Sequence, residues 1–185
     1  DKIQQENQRL ISIAKNNNLF IENKDWDSFG ERKRKPSGES IVYIDETNSK
    51  IIKIKDPFAK LGIKGSNPQY AIYEHIIHNI LFSNARYTFL GISATNLNEV
   101  RIILSQNYSN TYDRPSQKQI EDYLTNTLSL EKDGYYYSND FYSITDVDES
   151  SDNVLLDENN QLCFIDPIIK LNKPPQEVID FLISK

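Results

Sequence analysis

The chain has 185 residues with a formal net charge of −6, and it carries eleven tyrosines, eight phenylalanines, one tryptophan, one cysteine and no methionine. That length and aromatic content support a folded core, and the acidic balance argues against a nucleic-acid coat. A lone cysteine excludes an intramolecular disulfide and a cysteine-based zinc site, and it fits a reducing, cytoplasmic setting.

No apolar run reaches the length of a membrane span, and there is no signal-peptide pattern. A sequence that starts at Asp1 without any methionine reads as part of a longer polypeptide. In chain order, "QENQRLISIAKNNN" predicts a helix with Leu10, Ile11 and Ala14 on one side and an asparagine stop. "NLFIENKDWDSFGERKRKPSGES" reads as a loop anchored by Phe20, Trp26 and Phe29, with "ERKRK" as a solvated charge run. "SIVYID" and "KIIKIK" predict a hairpin turned by "ETNS". "DPFAKLGIKGSNPQ" is a Pro- and Gly-rich connector.

From Gln69 to Phe82, apolar residues recur at helical spacing. His75 and His78 lie three apart there without a third nitrogen or sulfur partner, so they read as half-buried or surface residues and not as metal ligands. "YTFLGISAT" and "VRIILSQ" predict two more strands. "SQKQIEDYLTNTLSL" predicts a helix opened by Pro115 and Ser116. "DGYYYSNDFYSIT" reads as one aromatic extended segment, in which "YYY" belongs to core and edge. "PPQEVIDFLIS" closes as a helix. The order of hairpins and helices gives an α+β chain with antiparallel sheets.

The stretch "SITDVDESSDNVLLDENNQLCFIDPII", Ser143 to Ile169, is the most informative. An acidic loop precedes two apolar runs, with Asn159 and Asn160 suited to the turn between them. That hairpin would bring Asn153 and Asp166 together beside Asp148. Three oxygen-bearing side chains at one mouth suit Mg²⁺ and the phosphates it holds. Taken singly, Asp146, Asp148 and Asp166 also read as turn or capping residues. "DVDESSDNVLLD" partly mimics a calcium loop, but it lacks the sixth-position glycine and is flanked by strands. Cys163, inside "LCFID", reads as inert core.

An aspartate, an asparagine five residues on, a hairpin and a final aspartate form the catalytic and metal-binding pattern of protein kinases, and this stretch resembles it. More narrowly, "GESIVYID", "KIIKI", "HNILFSNARYTFLGI", "RIILSQ" and "DNVLLDENNQLCFIDPIIKL" resemble the Ser/Thr/Tyr-kinase-like domains of polyvalent proteins from phages and conjugative elements. The resemblance spans about Ser37 to Leu171. It implies a minimal two-lobe kinase-like fold, with a lead-in at 1–39, a nucleotide-binding region at 40–106 and a reduced second lobe with the catalytic and metal loops at 107–185.

It also implies ATP and Mg²⁺ as cofactors. Lys53 would steady the phosphates, with Glu74 as its partner. Gly38 would sit in a reduced glycine loop, and the backbone near Ser105, Gln106 and Asn107 would line the adenine site. Asp148 would act on the acceptor hydroxyl, with Asp146 as the alternative, and Asn153 and Asp166 would hold metal. The phospho-acceptor is open and could be a protein; neither membrane nor nucleic acid is expected as a partner. Against retained catalysis stand the absence of a His-Arg pair before the aspartate and Pro167 in place of the usual glycine. Two readings follow: an ATP-dependent phosphotransferase, or an inactive kinase-like module that binds a nucleotide or a protein.

Overall fold

The computed structural model describes residues 2–33, 40–57, 68–107 and 113–185. Gly38 and most of the Pro- and Gly-rich connector lie outside them. The chain is an α+β protein, and its strand ladders are all antiparallel among the described residues. It divides into two units, 1–71 with 87–108, and 72–86 with 109–185. This division differs from the expected boundaries in two places. Among the described residues, 2–33 fall in the first unit with its sheet, and most of the Gln69–Phe82 helix falls in the second.

The first unit is built on a five-stranded sheet in the order β1-β2-β3-β5-β4. These strands are β1 (Glu31–Arg32), β2 (Ser40–Asp45), β3 (Lys50–Lys55), β4 (Thr88–Ala94) and β5 (Val100–Asn107). Alternation along β3 sends Ile52 and Ile54 to one face and Lys53 to the other. On the first face Tyr43, Ile52, Ile54 and Ile103 form a core covered by Ile21, Trp26 and Phe29. The expected anchors act as such: Trp26 Nε1 donates to Ser93 Oγ at 2.9 Å, and Phe29 meets Tyr43 edge-on at 6.1 Å.

Helix α1 (Lys2–Asn16) lays Leu10, Ile11 and Ala14 against Ile92 and Val100, which ties the N-terminal residues to the sheet. Ile92 then bonds the incoming chain on both sides, donating to the Leu19 carbonyl at 2.8 Å and accepting from Ile21 N–H at 2.9 Å. Gly91 makes room for this. A Cβ there would lie 2.4 Å from the Leu19 carbonyl oxygen, well inside contact distance.

The second unit gathers its core around Phe164, fully buried and stacked on Phe82 with ring centroids 4.3 Å apart. Ile77 and Leu81 enter this core from α2 (Pro68–Leu81), Ile120 from α3 (Gln117–Asp122), and Val178 from α4 (Pro175–Ile183). Ser116 caps α3 in a reciprocal capping box with Gln119, which satisfies two otherwise orphaned groups. The helix then widens into a π turn at Tyr123–Thr127.

The segment read as one extended run holds the end of β6 (Glu131–Asp133) and all of β7 (Tyr136–Ser138) and β8 (Tyr142–Thr145). They join β11 (Ile168–Leu171) in a sheet ordered β11-β8-β7-β6. Strands β9 (Val154–Leu156) and β10 (Leu162–Phe164) form the expected hairpin. Its turn is held by Asp157, which accepts from the amides of Asn159 and Gln161, and Asn160 has a positive φ.

Cys163 is buried in β10, and burial, with a smaller push from Asp157, raises its thiol to about 11. The thiolate is the reacting species. Maleimide labelling of the folded chain at neutral pH is therefore expected to be slow, and to become fast in denaturant. Rapid labelling of the folded chain would contradict this packing.

Candidate functional site

Four strand ends in the second unit converge on one place. β10 pairs with β9 through Phe164 opposite Val154, and the Ile165 amide donates to the Asn153 carbonyl at 2.7 Å. Asn153 therefore lies across from Ile165, one residue short of Asp166. β11 pairs with β8 through Ile168 opposite Thr145. Asp146, the residue after Thr145, thus sits beside the connection that carries Asp166.

Side chains complete what the register begins. Asn153 Nδ2 donates to Asp146 Oδ2 at 2.7 Å and to the Asp146 carbonyl at 3.0 Å. Asp146 takes a left-handed backbone, φ +60°, a region that aspartate and asparagine tolerate better than most residues. The two bonds from Asn153 hold it there. With its amide nitrogen so engaged, Asn153 keeps its amide oxygen as a hard donor, and Asp166 supplies a carboxylate. Both are oxygen ligands of the kind Mg²⁺ takes.

Asp148 is arranged differently. Its Oδ1 accepts from the Ser150 amide at 2.9 Å and from the Ser150 hydroxyl. The hydroxyl, followed by that amide, keeps the carboxyl below the usual aspartate range. This is a local turn, in which the side chain folds back on its own loop. The carboxylates that would make a calcium loop likewise go to separate partners: Asp146 to Asn153, Asp148 to Ser150, and Asp152 to Arg114. Among the described residues no group of three or more His, Cys, Asp or Glu side chains could hold a metal ion.

Two residues outside the sequence pattern fix this loop. The Arg114 guanidinium donates to the carbonyls of Ser150 at 3.3 Å and Glu149 at 3.5 Å, and to Asp152. Gln117 and Glu149 bind reciprocally: each backbone amide donates to the other's side-chain oxygen at 3.0 Å. These partners are thirty-two or more positions apart, and no spacing rule links them.

Behind the loop, buried His78 of α2 contacts the Phe164 carbonyl through Nε2 at 2.8 Å. A carbonyl only accepts, so Nε2 carries the proton. His78 thereby holds the strand that leads to Asp166, a structural role in place of the half-exposed one expected.

Asp146, Val147 and Asp148 also form one wall of a cavity of about 290 Å³. Gln117 and Glu121 of α3 and the β6–β7 hairpin form the rest. Lys132 pairs with Glu121, and Gln117 Nε2 donates to Glu121 at 3.2 Å and to the Tyr137 hydroxyl at 3.3 Å. The Lys132 bond, then that of Gln117, lowers the Glu121 carboxyl, while burial and then Glu121 raise the Tyr137 phenol.

In the first unit, Lys53 is only 5% exposed. Its Nζ donates to the Tyr87 hydroxyl at 3.1 Å and lies 5.1 Å from that ring's centroid. An ammonium so buried needs such partners. Lys55 reaches the same ring at 5.6 Å from the strand's end. Ser105 to Asn107 are strand residues paired with β3. The pairing of β4 with β5 stops at Ser105, so beyond it the sheet holds β5 on one side only. Glu74 lies half-buried on α2.

Compared with known families, residues 3–173 match the one described as serine/threonine/tyrosine kinase found in polyvalent proteins. No curated protein and no solved structure matches the chain.

Proposed function

The chain belongs to the serine/threonine/tyrosine kinase family found in polyvalent proteins, and from that premise we propose that it is an ATP- and Mg²⁺-dependent phosphotransferase, one module of a multidomain protein of a mobile element. The observation that carries this reading is the pair of bonds from Asn153 to Asp146 beside the Asp166 connection. A fixed carboxylate next to two hard oxygen donors is what phosphoryl transfer asks of a protein, because that reaction depends on positioning and charge.

Asp146 is the proposed base for the acceptor hydroxyl. It takes precedence over Asp148, whose Oδ1 serves a local turn with Ser150, because Asn153 ties Asp146 to the strand end beside Asp166. Asn153 and Asp166 are the proposed metal ligands, and the rest of the ion's shell would come from phosphate and water, as is usual for Mg²⁺. Lys53 is the proposed phosphate contact, and the backbone of Ser105 to Asn107 the proposed adenine contact. Bound Mg²⁺ would supply charge neutralisation on the phosphates.

A second reading, a non-catalytic module that binds nucleotide or a protein, is favoured by Pro167 directly after Asp166 and by the missing His-Arg pair. Nucleotide binding is tested by thermal unfolding. Mg·ATP at about a hundred times its dissociation constant stabilises a protein by roughly 2.7 kcal/mol, so a clear rise in Tm is expected. Chelation of Mg²⁺ should remove most of it. An unchanged Tm in saturating Mg·ATP would sink both nucleotide readings.

A further inference from the structure

The β6–β7 hairpin turns through Gly134 and Tyr135, between the paired residues Asp133 and Tyr136. Gly134 has φ +60°, with open space around it. Three tyrosines follow one another here, and they differ sharply. Tyr137 is 2% exposed and its hydroxyl is engaged by Gln117. Tyr136 is exposed but is not on the cavity wall. Tyr135 is 86% exposed, bonds to no other described residue, and lines the same cavity as Asp146.

We propose that Tyr135 is a phospho-acceptor of this chain itself, modified within the same molecule across the cavity it shares with Asp146. The inference rests on the phosphotransferase reading above. A phenol is protonated at neutral pH and needs a base as it attacks. The Tyr135 oxygen bonds to the γ-phosphorus of ATP, and the bond from that phosphorus to the β,γ-bridging oxygen breaks. ADP leaves with that electron pair, and the phenolic proton passes to the Asp146 carboxylate.

The cavity is suited to the product as well. Lys132 is the cation on its wall, now paired with Glu121. A phosphotyrosine adds about 1.5 to 2 negative charges and three strong acceptors, and it competes with Glu121 for that ammonium. Asp146 and Asp148 repel the same group. The modified hairpin tip therefore moves towards Lys132 and away from the base, which clears Asp146 for another acceptor.

The test is incubation of the chain with Mg·ATP at several protein concentrations, followed by mass-spectrometric mapping of the phosphate. The expected result is phosphate on Tyr135 at a rate independent of protein concentration. It should be absent in Tyr135→Phe and retained in Tyr136→Phe. A mass-tagged Asp146→Asn chain mixed with the unaltered one should stay unmodified. Phosphate found only on other residues, or on the tagged chain at Tyr135, would overturn the proposal. Because Tyr135 is exposed, its replacement by phenylalanine leaves the core untouched, so a negative result is not a folding failure. A Tm raised by Mg·ATP with Tyr135 unmodified would reject this inference and leave the nucleotide site standing. An unchanged Tm would remove both.

Discussion

Replacing Asp146 by asparagine is expected to lower phosphoryl transfer by ~10²–10⁴-fold, the range for loss of an acid–base group, while Mg·ATP still raises the melting temperature. Asparagine keeps the size of the side chain and tolerates the left-handed backbone found there, so the fold should survive. What it loses is the proton-accepting carboxylate. Asp148→Asn is the paired experiment. That side chain serves a local turn with Ser150, and its replacement should change the rate by no more than a few-fold. A transfer assay with labelled ATP, run beside a binding titration for each variant, reads both effects. Were Asp148→Asn to abolish transfer and Asp146→Asn to spare it, the catalytic role would return to Asp148, five residues before Asn153.

The largest effect on stability is expected from Phe164→Ala. The ring is fully buried, stacks on Phe82 and lies 5.3 Å from Tyr123. Deleting a buried phenylalanine costs about 3–5 kcal/mol, against a total of roughly 5–15 kcal/mol for an ordinary domain. Urea unfolding should show a midpoint lowered by about a fifth or more at an unchanged slope. A cost below about 1 kcal/mol would mean that Phe164 is not the centre of the second core.

Much of this could be read from the chain itself. The period-two runs of β2 and β3, the helical spacing of α2 and the Pro115–Ser116 start of α3 are local signals, and local physics decides them. The family was legible for a related reason, since its pattern is a short series of motifs in fixed order. Three things were not legible. Strand β11, which starts directly after Pro167, was not predicted, because β8 offers it a partner that no local signal reveals. "DGYYYSNDFYSIT" gave no sign that two turns divide it, because aromatic residues favour strands without fixing where they bend. The partners of Asp146 and Asp148 were not legible either. A spacing rule selects Asp148, but Ser150 competes for it through the loop's own backbone, and Asn153 reaches past it to Asp146. Such hydrogen bonding depends on the folded loop and leaves no trace in residue order.

The outermost strand of the second sheet has a consequence beyond the site. β6 is "EKD", and all three side chains are exposed. An open strand edge is a template on which another chain can add by hydrogen bonding, the first step of many aggregation reactions. Three successive charges make that addition costly, since a newcomer would have to strip their water and meet one sign or the other at every position. On this border the charges oppose the pairing of a second strand. Its weak border is then β11 on the far side, where half-exposed Ile168 is the residue to exchange for lysine if the isolated chain precipitates.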